Sequence, residues 1–500
     1  MSHIPFLISI FPFIVFLFLL LVKKITLLKS SLITLLLYTV LSILYWKILP
    51  SYLYISYGKG FFVGLDIFII IFGAIFFLEI LKDLKIIKNI SYYLGSLSKD
   101  YRVQIIIIAW LFECFIEGTA GFGTPAAIAV PILIGLGLSP AKSLIVGLLG
   151  NSVPGVFGAA GTPIKMGFVG LNTTGVPLIS ALLNCVGFIV PIFMLWIITK
   201  DRENKKKEFF EALPFAAFSG LAFVIPSLLA VFLGQEFPSI IGSVVGLIII
   251  VISVRLKFLV PKEEISLLPE SVVEEEKTMS PFKAFLPYMI LVTFLILGKI
   301  FLGKLGVILP VGFKQTFSLF NPGFIFMVSG LLVMLIWRER LSIIHSSVKK
   351  ALKGSIYPFF VVFSMLAMIQ IMVNSGQNLS GILSPIILIT NSFDTSWLPF
   401  FAPFVGAFGA FMTGSVTVSN IMFGNLFNIA AINLNMYPAA ILSLGVVGAA
   451  AGNMIALADI LTAEAVTGIE NGEIKVLKGV IIPCLILLSI VGFIGLIIFG

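Results

Sequence analysis

Long apolar runs separated by short polar segments follow one another along almost the whole chain. The runs lie near residues 4–22, 31–49, 61–81, 102–118, 126–138, 141–158, 178–199, 213–233, 238–257, 284–303, 320–337, 355–373, 378–390, 396–412, 420–434, 438–452 and 477–499. About 20 apolar residues cross a bilayer as an α-helix. The pattern therefore predicts an all-α polytopic membrane protein with about 12–14 transmembrane helices.

The basic residues between the runs predict which side each segment faces. Lys23 and Lys24 follow the first run, and the segments 82–89, 98–102 and 199–208 are also rich in lysine or arginine. Such segments stay in the cytoplasm, so we expect the N-terminus and, by alternation, the C-terminus to lie outside. The first run has its lysines after it and lacks a small-residue cleavage site, which favours a retained transmembrane helix over a signal peptide.

The predicted helices of the second half follow the same order as those of the first half but cross the membrane in the opposite direction. Three runs begin the first half and three similar runs, from residue 284, begin the second half in the opposite orientation. Inverted repeats of this kind build many secondary transporters. We therefore predict a first repeat at 1–205, a connecting helical hairpin at 206–260, a cytoplasmic polar loop at 261–283 and a second repeat at 284–500.

Glycine and proline interrupt four of the apolar runs at corresponding places in the two halves. The interruptions lie at 118–127, 150–163, 411–425 and 449–468. Irregular backbone at membrane depth is tolerated only where it is buried in protein or lines a cavity. Small residues also let helices pack closely, but four breaks at mirrored positions favour a transport site made of broken helices.

The breaks favour a small anion as the substrate. A helix N-terminus exposes unpaired N–H groups and the positive end of the helix dipole. Thr124 and Pro125 have the residue types of an N-cap followed by a first helical residue, and Thr162 and Pro163 repeat the pattern. Such ends can bind a carboxylate without a lysine, while nearby hydroxyl and amide groups contact a second polar group of the substrate.

Several carboxylates lie within or beside the apolar runs. They are Asp66, Glu79, Glu113, Glu117, Asp459 and Glu464. An acid at mid-bilayer costs about 2.5–3.5 kcal/mol and usually serves an ion or proton pathway. Glu113 and Glu117 share a helix face, and burial and a neighbouring acid both favour the protonated form. Glu117, Glu113 and Asp459 are therefore the predicted proton-coupling residues, whereas Asp66 and Glu79 can equally be paired with nearby lysines for structural reasons.

The composition agrees with a membrane protein and excludes several other classes. Hydrophobic residues make up 59% of the 500 residues and charged residues 11%, against about 25% charged in soluble domains. The net charge of +9 comes from the loops, so it does not indicate nucleic acid. Two histidines and three scattered cysteines offer no metal, disulfide or catalytic arrangement. We expect no cofactor, no metal and no enzymatic activity.

Four segments resemble the signatures of the lactate permease family. They read EGTAGFGTPAAIAVPILIGLGLSP, GNSVPGVFGAAGTPI, TGSVTVSNIMFG and AGNMIALADILTAEAV. The resemblance implies proton symport of L-lactate, and often of D-lactate and glycolate, across the plasma membrane. The positions that match are Glu117, Gly118, Gly121, Gly123, Asn151, Gly161, Pro163, Thr413, Gly414, Ser415, Ser419, Asn420, Gly452 and Asn453. Val416 and the segment 457–459 depart from the family pattern.

The breaks and the resemblance together define the candidate site. The predicted substrate-binding residues are Gly121, Gly123, Thr124, Asn151, Ser152, Thr162, Ser415, Thr417, Ser419, Asn420 and Asn453. The expected partners are lactate or another small organic anion, a proton and the lipid bilayer. A sodium-coupled carrier of a dicarboxylate is an alternative, although only Lys165 follows a break. A channel also stays open, and the oligomeric state is not predicted.

Overall fold

The computed structural model describes residues 4–19, 25–119, 121, 124–267, 279–303, 305–310, 314–337, 341–390, 396–456, 459–460 and 473–500. Almost all of this part of the chain is helical. In order, the helices are α1 (Ile4–Leu17), α2 (Leu27–Leu44), α3 (Pro50–Asp83), α4 (Ile86–Gly95), α5 (Tyr101–Ile106), α6 (Glu113–Thr119), α7 (Thr124–Gly135), α8 (Pro140–Gly150), α9 (Gly158–Lys165), α10 (Val176–Asn184), α11 (Val190–Thr199), α12 (Lys205–Ala230), α13 (Pro238–Arg255), α14 (Pro281–Leu302), α15 (Pro322–Trp337), α16 (Leu341–Asn374), α17 (Pro385–Thr390), α18 (Leu398–Thr413), α19 (Val416–Asn433), α20 (Pro438–Asn453) and α21 (Glu473–Phe499).

The predicted class, an all-α polytopic membrane protein, is confirmed. In the described part of the chain, seven helical segments are long and apolar enough to cross a membrane, or eight if a bent pair counts as one span. Five further apolar helices have 10–17 residues. Fewer full-length spans are therefore found than the 12–14 that we predicted, because several apolar runs form short helices that end at a break.

One element was not predicted from the sequence. Strands β1 (Gly306–Pro310) and β2 (Lys314–Ser318) pair antiparallel between α14 and α15, with Gly306 opposite Ser318. The strand residues include Val307, Ile308 and Phe317, and branched or aromatic residues of this kind favour strands. This hairpin connects two helices and leaves the helical class unchanged.

The two longest helices pack against each other along their length in opposite directions. Helices α3 and α16 each have 34 residues. Near the start of α3, a methyl group added at Gly60 would lie 2.8 Å from the backbone nitrogen of Ala367, near the end of α16. Near the other end, Lys350 Nζ lies 3.2 Å from Asp83 Oδ1. The pair is therefore antiparallel and nearly in register from end to end.

Each half of the chain packs its neighbouring helices onto the other half. Helix α2 lies on α16 and α15 lies on α3, while α10 packs on α20 and α21 packs on α8. The Leu28 N–H donates to the Tyr357 hydroxyl at 3.2 Å, and Asn321 Nδ2 donates to Asp66 Oδ1 at 3.3 Å. This reciprocal packing, with the antiparallel α3–α16 pair, supports the predicted inverted repeat, which itself stays a prediction.

Several helices extend beyond their apolar runs. Helix α3 begins at Pro50 rather than near 61, and α16 begins at Leu341 rather than near 355. In both cases the extra turns contain lysine or tyrosine, which are compatible with a helix but not with the apolar centre of a bilayer. Hydrophobicity therefore locates the membrane-embedded part of a helix, whereas its ends are set by other residues.

Candidate functional site

The first predicted break separates α6 from α7. Helix α6 ends at Thr119, whose hydroxyl donates to the Phe115 carbonyl oxygen at 3.0 Å, and α7 begins at Thr124. Gly121 lies between them with φ +60°, a left-handed conformation that favours glycine. The predicted interruption is thus confirmed and α7 begins where Thr124 and Pro125 indicated. Gly123 lies outside the described residues.

The second break, after α8, contains a left-handed turn. Ala159, Ala160 and Gly161 have φ values of 41°, 53° and 78°. The chain also bends by 49° between Pro140–Gly150 and the segment Pro154–Lys165. An L-residue in this conformation costs about 1–2 kcal/mol, and such strain clusters at functional sites. We call residues 158–161 the left-handed turn.

The segment after the left-handed turn differs from the predicted half-helix. Only one helical turn follows, ending at Lys165. The Thr162 hydroxyl donates to the Ala159 carbonyl oxygen at 2.6 Å, and among the described residues it accepts no N–H of the following turn as an N-cap would. The reason is local, because the turn of the backbone at 159–161 brings the Ala159 carbonyl to the hydroxyl.

The third break, between α18 and α19, starts a long helix. Helix α18 ends at Thr413, Gly414 has φ +66°, and the Ser415 hydroxyl accepts from the Val418 N–H at 3.3 Å as an N-cap. Helix α19 then runs for 18 residues. Its first-turn N–H groups have no partner inside the helix and form the positive end of its dipole.

The fourth break follows α20, which ends at Asn453. Asp459 is described and buried, with a relative exposure of 7%. Residues 457, 458 and 461–472, which include Glu464, lie outside the described residues.

All four breaks contribute residues to the lining of one small cavity. Its lining residues are Glu117, Gly121, Gly155, Gly158, Ala159, Thr162, Pro163, Gly414, Ser415, Val416, Thr417 and Asn453. The cavity volume is about 20 Å³, which corresponds to about one water molecule. Six predicted site residues therefore line one space: Glu117, Gly121, Thr162, Ser415, Thr417 and Asn453.

The three predicted coupling acids are buried and only incompletely hydrogen-bonded. Both side-chain oxygens of Glu113, Oε2 of Glu117 and Oδ2 of Asp459 have no hydrogen-bond partner in the described part of the chain. Glu117 has a charge interaction with Glu113 and with Asp459, so the three acids form one electrostatic group. Buried polar atoms are normally satisfied, and acids in a membrane mark ion or proton pathways.

The predicted asparagines also carry unpaired atoms. Both amide atoms of Asn151 and the Oδ1 atoms of Asn420 and Asn453 lack a partner among the described residues. Asn420 Nδ2 donates to the Pro163 carbonyl oxygen at 2.9 Å, which connects α19 to the segment that follows the left-handed turn. Unpaired amide atoms near the cavity can bind a polar ligand.

Glycines provide the space that the acids occupy. A methyl group added at Gly158 would lie 2.3 Å from Glu117 Oε1. One added at Gly150 would lie 2.1 Å from Glu113 Oε2. Both distances are far below van der Waals contact, so any larger residue would displace the carboxylate.

Two predicted binding residues, Ser152 and Ser419, donate hydrogen bonds to backbone carbonyl groups of the protein. Ser152 donates to the Leu149 carbonyl oxygen at 2.6 Å and lines a neighbouring cavity. Ser419 donates to the Gly406 carbonyl oxygen at 2.7 Å. These hydroxyls satisfy nearby backbone carbonyl groups, and Ser419 does not line the cavity that Glu117 lines.

Two other predicted acids, Glu79 and Asp66, have polar partners. Glu79 forms ion pairs with Lys82 at 3.0 Å and with Lys350 at 2.9 Å, so the pairing with Lys82 that the sequence suggested is confirmed. Asp66 accepts from Asn321. Lys350 and Asn321 come from the other half of the chain, which is why sequence spacing did not indicate them.

Three lining residues, Gly155, Gly158 and Ala159, were not predicted individually. They lie in the segment VPGVFGAAGTP, which the sequence marks as a break as a whole. The spacing of small residues indicated the position of the break but not which of them face the cavity.

Comparison with known proteins identifies relatives over the whole described fold. The sequence model of a family described as L-lactate permease matches residues 5–309 and 304–499. A Haemophilus influenzae relative is 30% identical over 83% of this chain and 84% of its own length. The L-lactate permease of Bacillus subtilis is 27% identical, covering 79% of this chain and 78% of its own. The glycolate permease of Escherichia coli is 26% identical, covering 98% of this chain and 95% of its own.

Proposed function

The chain belongs to the L-lactate permease family, and we propose that it is a secondary transporter that moves L-lactate together with a proton across the plasma membrane. Glycolate and D-lactate are related 2-hydroxymonocarboxylates and fall within the proposed substrate range. The names of the relatives, L-lactate permease and glycolate permease, support this substrate class.

The observation that carries the proposal is the group of incompletely bonded acids beside the broken helices. Glu117 lines the cavity, and its charge interacts with Glu113 and Asp459. A buried carboxyl without a cationic partner is stable when it is protonated and costly when it is charged. Such a group can therefore take up a proton when the site is open to the more acidic side.

The substrate carboxylate has a separate set of binding groups. The first turn of α19, at Val416 and Thr417, lines the cavity and presents N–H donors at the positive end of the helix dipole. Thr162, Thr417 and Asn453 add hydroxyl and amide groups that suit a 2-hydroxyl group. Among the described lining residues there is no lysine or arginine, which favours a monocarboxylate over a dicarboxylate.

Coupling to a proton removes an energetic cost of anion uptake. Moving one negative charge against a negative-inside potential costs about 2.3 kcal/mol per 100 mV. A lactate that travels with one proton carries no net charge, so this cost disappears and the pH gradient drives accumulation.

Substrate binding requires the site to open. The cavity holds about 20 Å³, and a three-carbon hydroxy acid is several times larger than the one water molecule that fits such a volume. The reciprocal packing of the two halves is compatible with movement of one half against the other, as in alternating access. We propose that this conformation is a closed step of that cycle.

The proposal is tested by uptake of labelled L-lactate into proteoliposomes of the purified protein in sodium-free buffer. With the interior alkaline relative to the bath, we expect accumulation that a protonophore abolishes. Uptake that requires sodium would instead indicate the sodium-coupled alternative. No lactate uptake under either gradient would refute the substrate assignment.

A further inference from the structure

A second polar region lies where α8 and α21 begin and α11 ends, at the end of α8 opposite to the second break. It contains two adjoining cavities that share Lys200. The first, of about 330 Å³, is lined by Ser139, Ala141, Lys142, Ile145, Lys200, Asp201, Lys475, Lys478 and Gly479. The second, of about 270 Å³, is lined by Trp196, Thr199, Lys200, Lys205, Lys206, Phe209 and Phe210. We call the two together the lysine pocket.

The lysine pocket has a large excess of positive charge. Six lysines line it, and Asp201 is the one acid among the described lining residues. Lys142 Nζ lies 3.1 Å from Asp201 Oδ2. The hydrogen bond from Lys142 is the main cause of a lowered Asp201 pKa, and the charges of Lys200 and Lys475 add to it. The remaining lysines therefore have no acid among the described lining residues to balance them.

The aromatic residues place the lysine pocket at the boundary between water and lipid. Trp196 is 42% exposed and Phe210 is 65% exposed; Trp196 lies near the end of α11 and Phe210 near the start of α12. Lys200 Nζ lies 5.3 Å from the centre of the Trp196 ring. Tryptophan is enriched at membrane interfaces, and the basic loops predict the cytoplasmic side.

We propose that the lysine pocket binds the head group of an anionic phospholipid of the cytoplasmic leaflet. Basic pockets between transmembrane helices on this side suit phosphate head groups. The lysines would bind the phosphate, while the exposed faces of Trp196 and Phe210 would contact the first part of the acyl chains. The Ser139 side chain makes no capping hydrogen bond at the start of α8, so its hydroxyl is also available to the phosphate.

Such a lipid would connect the two halves of the protein. Lys142 lies on α8, Lys200 follows α11, and Lys475 and Lys478 lie on α21 in the other half. Helix α8 runs from this pocket to Gly150, which precedes Asn151 at the second break. A bound head group would therefore stabilise the contact of α8 with α21 and α11.

Native mass spectrometry of the purified full chain tests this proposal. The protein is incubated with phosphatidylglycerol, with cardiolipin or with phosphatidylcholine, and the retained lipid is measured. We expect retention of the two anionic lipids at least about tenfold above that of phosphatidylcholine. A variant with Lys200→Gln, Lys475→Gln and Lys478→Gln should lose that preference.

A matched variant controls for the loss of three positive charges. Lys257→Gln, Lys283→Gln and Lys353→Gln change exposed lysines outside the lysine pocket, and this variant should keep the preference of the wild type. Equal retention of all three lipids by the wild type would overturn the proposal, as would an equal loss in both variants. If inorganic phosphate binds at the lysine pocket but no lipid is retained, the site is for a free anion and the proposal is wrong.

Discussion

Two regions of the molecule bury several charged side chains, and the two regions differ in whether those side chains have hydrogen-bond partners. At the start of α5, Arg102 is fully buried and hydrogen-bonds Asp100, Glu211 and the backbone carbonyl oxygens of Glu208 and Glu263. At the helix breaks, the buried acids keep oxygens that have no partner among the described residues. In the first region the buried arginine has acidic and carbonyl partners, as expected for a charge that is buried to stabilise the fold.

Under the proposed function, this difference separates buried charges that stabilise the fold from buried acids that exchange a proton. In a compensated cluster, protonation of a carboxylate would weaken its hydrogen bonds to the arginine, so a change in protonation destabilises the fold. An uncompensated acid can exchange a proton at lower cost to the fold. The cluster at Arg102 also holds the loop that follows α13, because the Ile265 N–H donates to Asp100 Oδ2 at 3.1 Å. We therefore propose that the first region serves stability and the second serves proton coupling.

The largest predicted effect on stability is at the compensated cluster. Arg102→Met leaves Asp100 and Glu211 without their buried cation, which typically costs about 3–5 kcal/mol. We expect a large drop in the unfolding temperature in detergent. As a control, Lys207→Met removes an exposed ion pair to Glu263 at 2.6 Å and should change the unfolding temperature little. Equal drops in the two variants would contradict the distinction between buried and exposed pairs.

The next effect concerns the space beside Glu117. Gly158→Ala places a methyl group 2.3 Å from Glu117 Oε1, and overpacking of this kind costs about 1–3 kcal/mol. Because the carboxylate must move, we expect the rate of lactate uptake to fall at least about tenfold. Gly135→Ala is the matched control, since nothing lies within 4 Å of the added methyl group. An unchanged uptake rate for Gly158→Ala would contradict the assignment of Glu117 to the transport site.

A smaller effect is expected for the amide that lines the cavity. Asn453→Ala removes a side chain whose Oδ1 has no partner among the described residues, so the loss should appear in binding rather than in folding. We expect the apparent KM for L-lactate to rise about tenfold, equivalent to about 1.4 kcal/mol. The KM from initial uptake rates measures this, and an unchanged KM would exclude Asn453 from substrate binding.

The smallest predicted effect tests the strained backbone. Ala160→Gly relieves a left-handed φ of 53° and should raise stability by up to about 1 kcal/mol. In a regular helix the same replacement has the opposite sign, so Ala217→Gly in α12 should lower stability by about 1 kcal/mol. Thermal unfolding of the two variants measures both, and destabilisation by Ala160→Gly would show that the left-handed turn is not strained.

The sequence was sufficient to locate the breaks and the buried acids beside them. Apolar runs interrupted by glycine and proline marked the ends of α6, α8, α18 and α20, and the acids stood out because acids are rare in such runs. Gly121 and Gly414, which lie in two of these breaks, have left-handed backbone conformations in the fold.

Other features depend on contacts that sequence spacing does not encode. Alanine rarely adopts a left-handed conformation, so nothing in the sequence indicated Ala159 and Ala160. The ion pairs of Lys350 with Glu79 and Asp83 arise from the antiparallel packing of α16 on α3. Ser152 and Ser419 had suitable residue types for binding, but nearby carbonyl groups take their hydrogen bonds. Hydroxyl groups in helices often make such local bonds.

The most direct test of the assignment of coupling to Glu117 compares two transport modes of Glu117→Gln in proteoliposomes. Exchange of labelled for unlabelled L-lactate needs no net proton movement, whereas accumulation driven by a pH gradient does. We predict that Glu117→Gln keeps exchange and loses accumulation, while the control Glu79→Gln, at an acid paired with Lys82 and Lys350, keeps both. Accumulation by Glu117→Gln at the wild-type level would contradict the role of this acid in proton coupling.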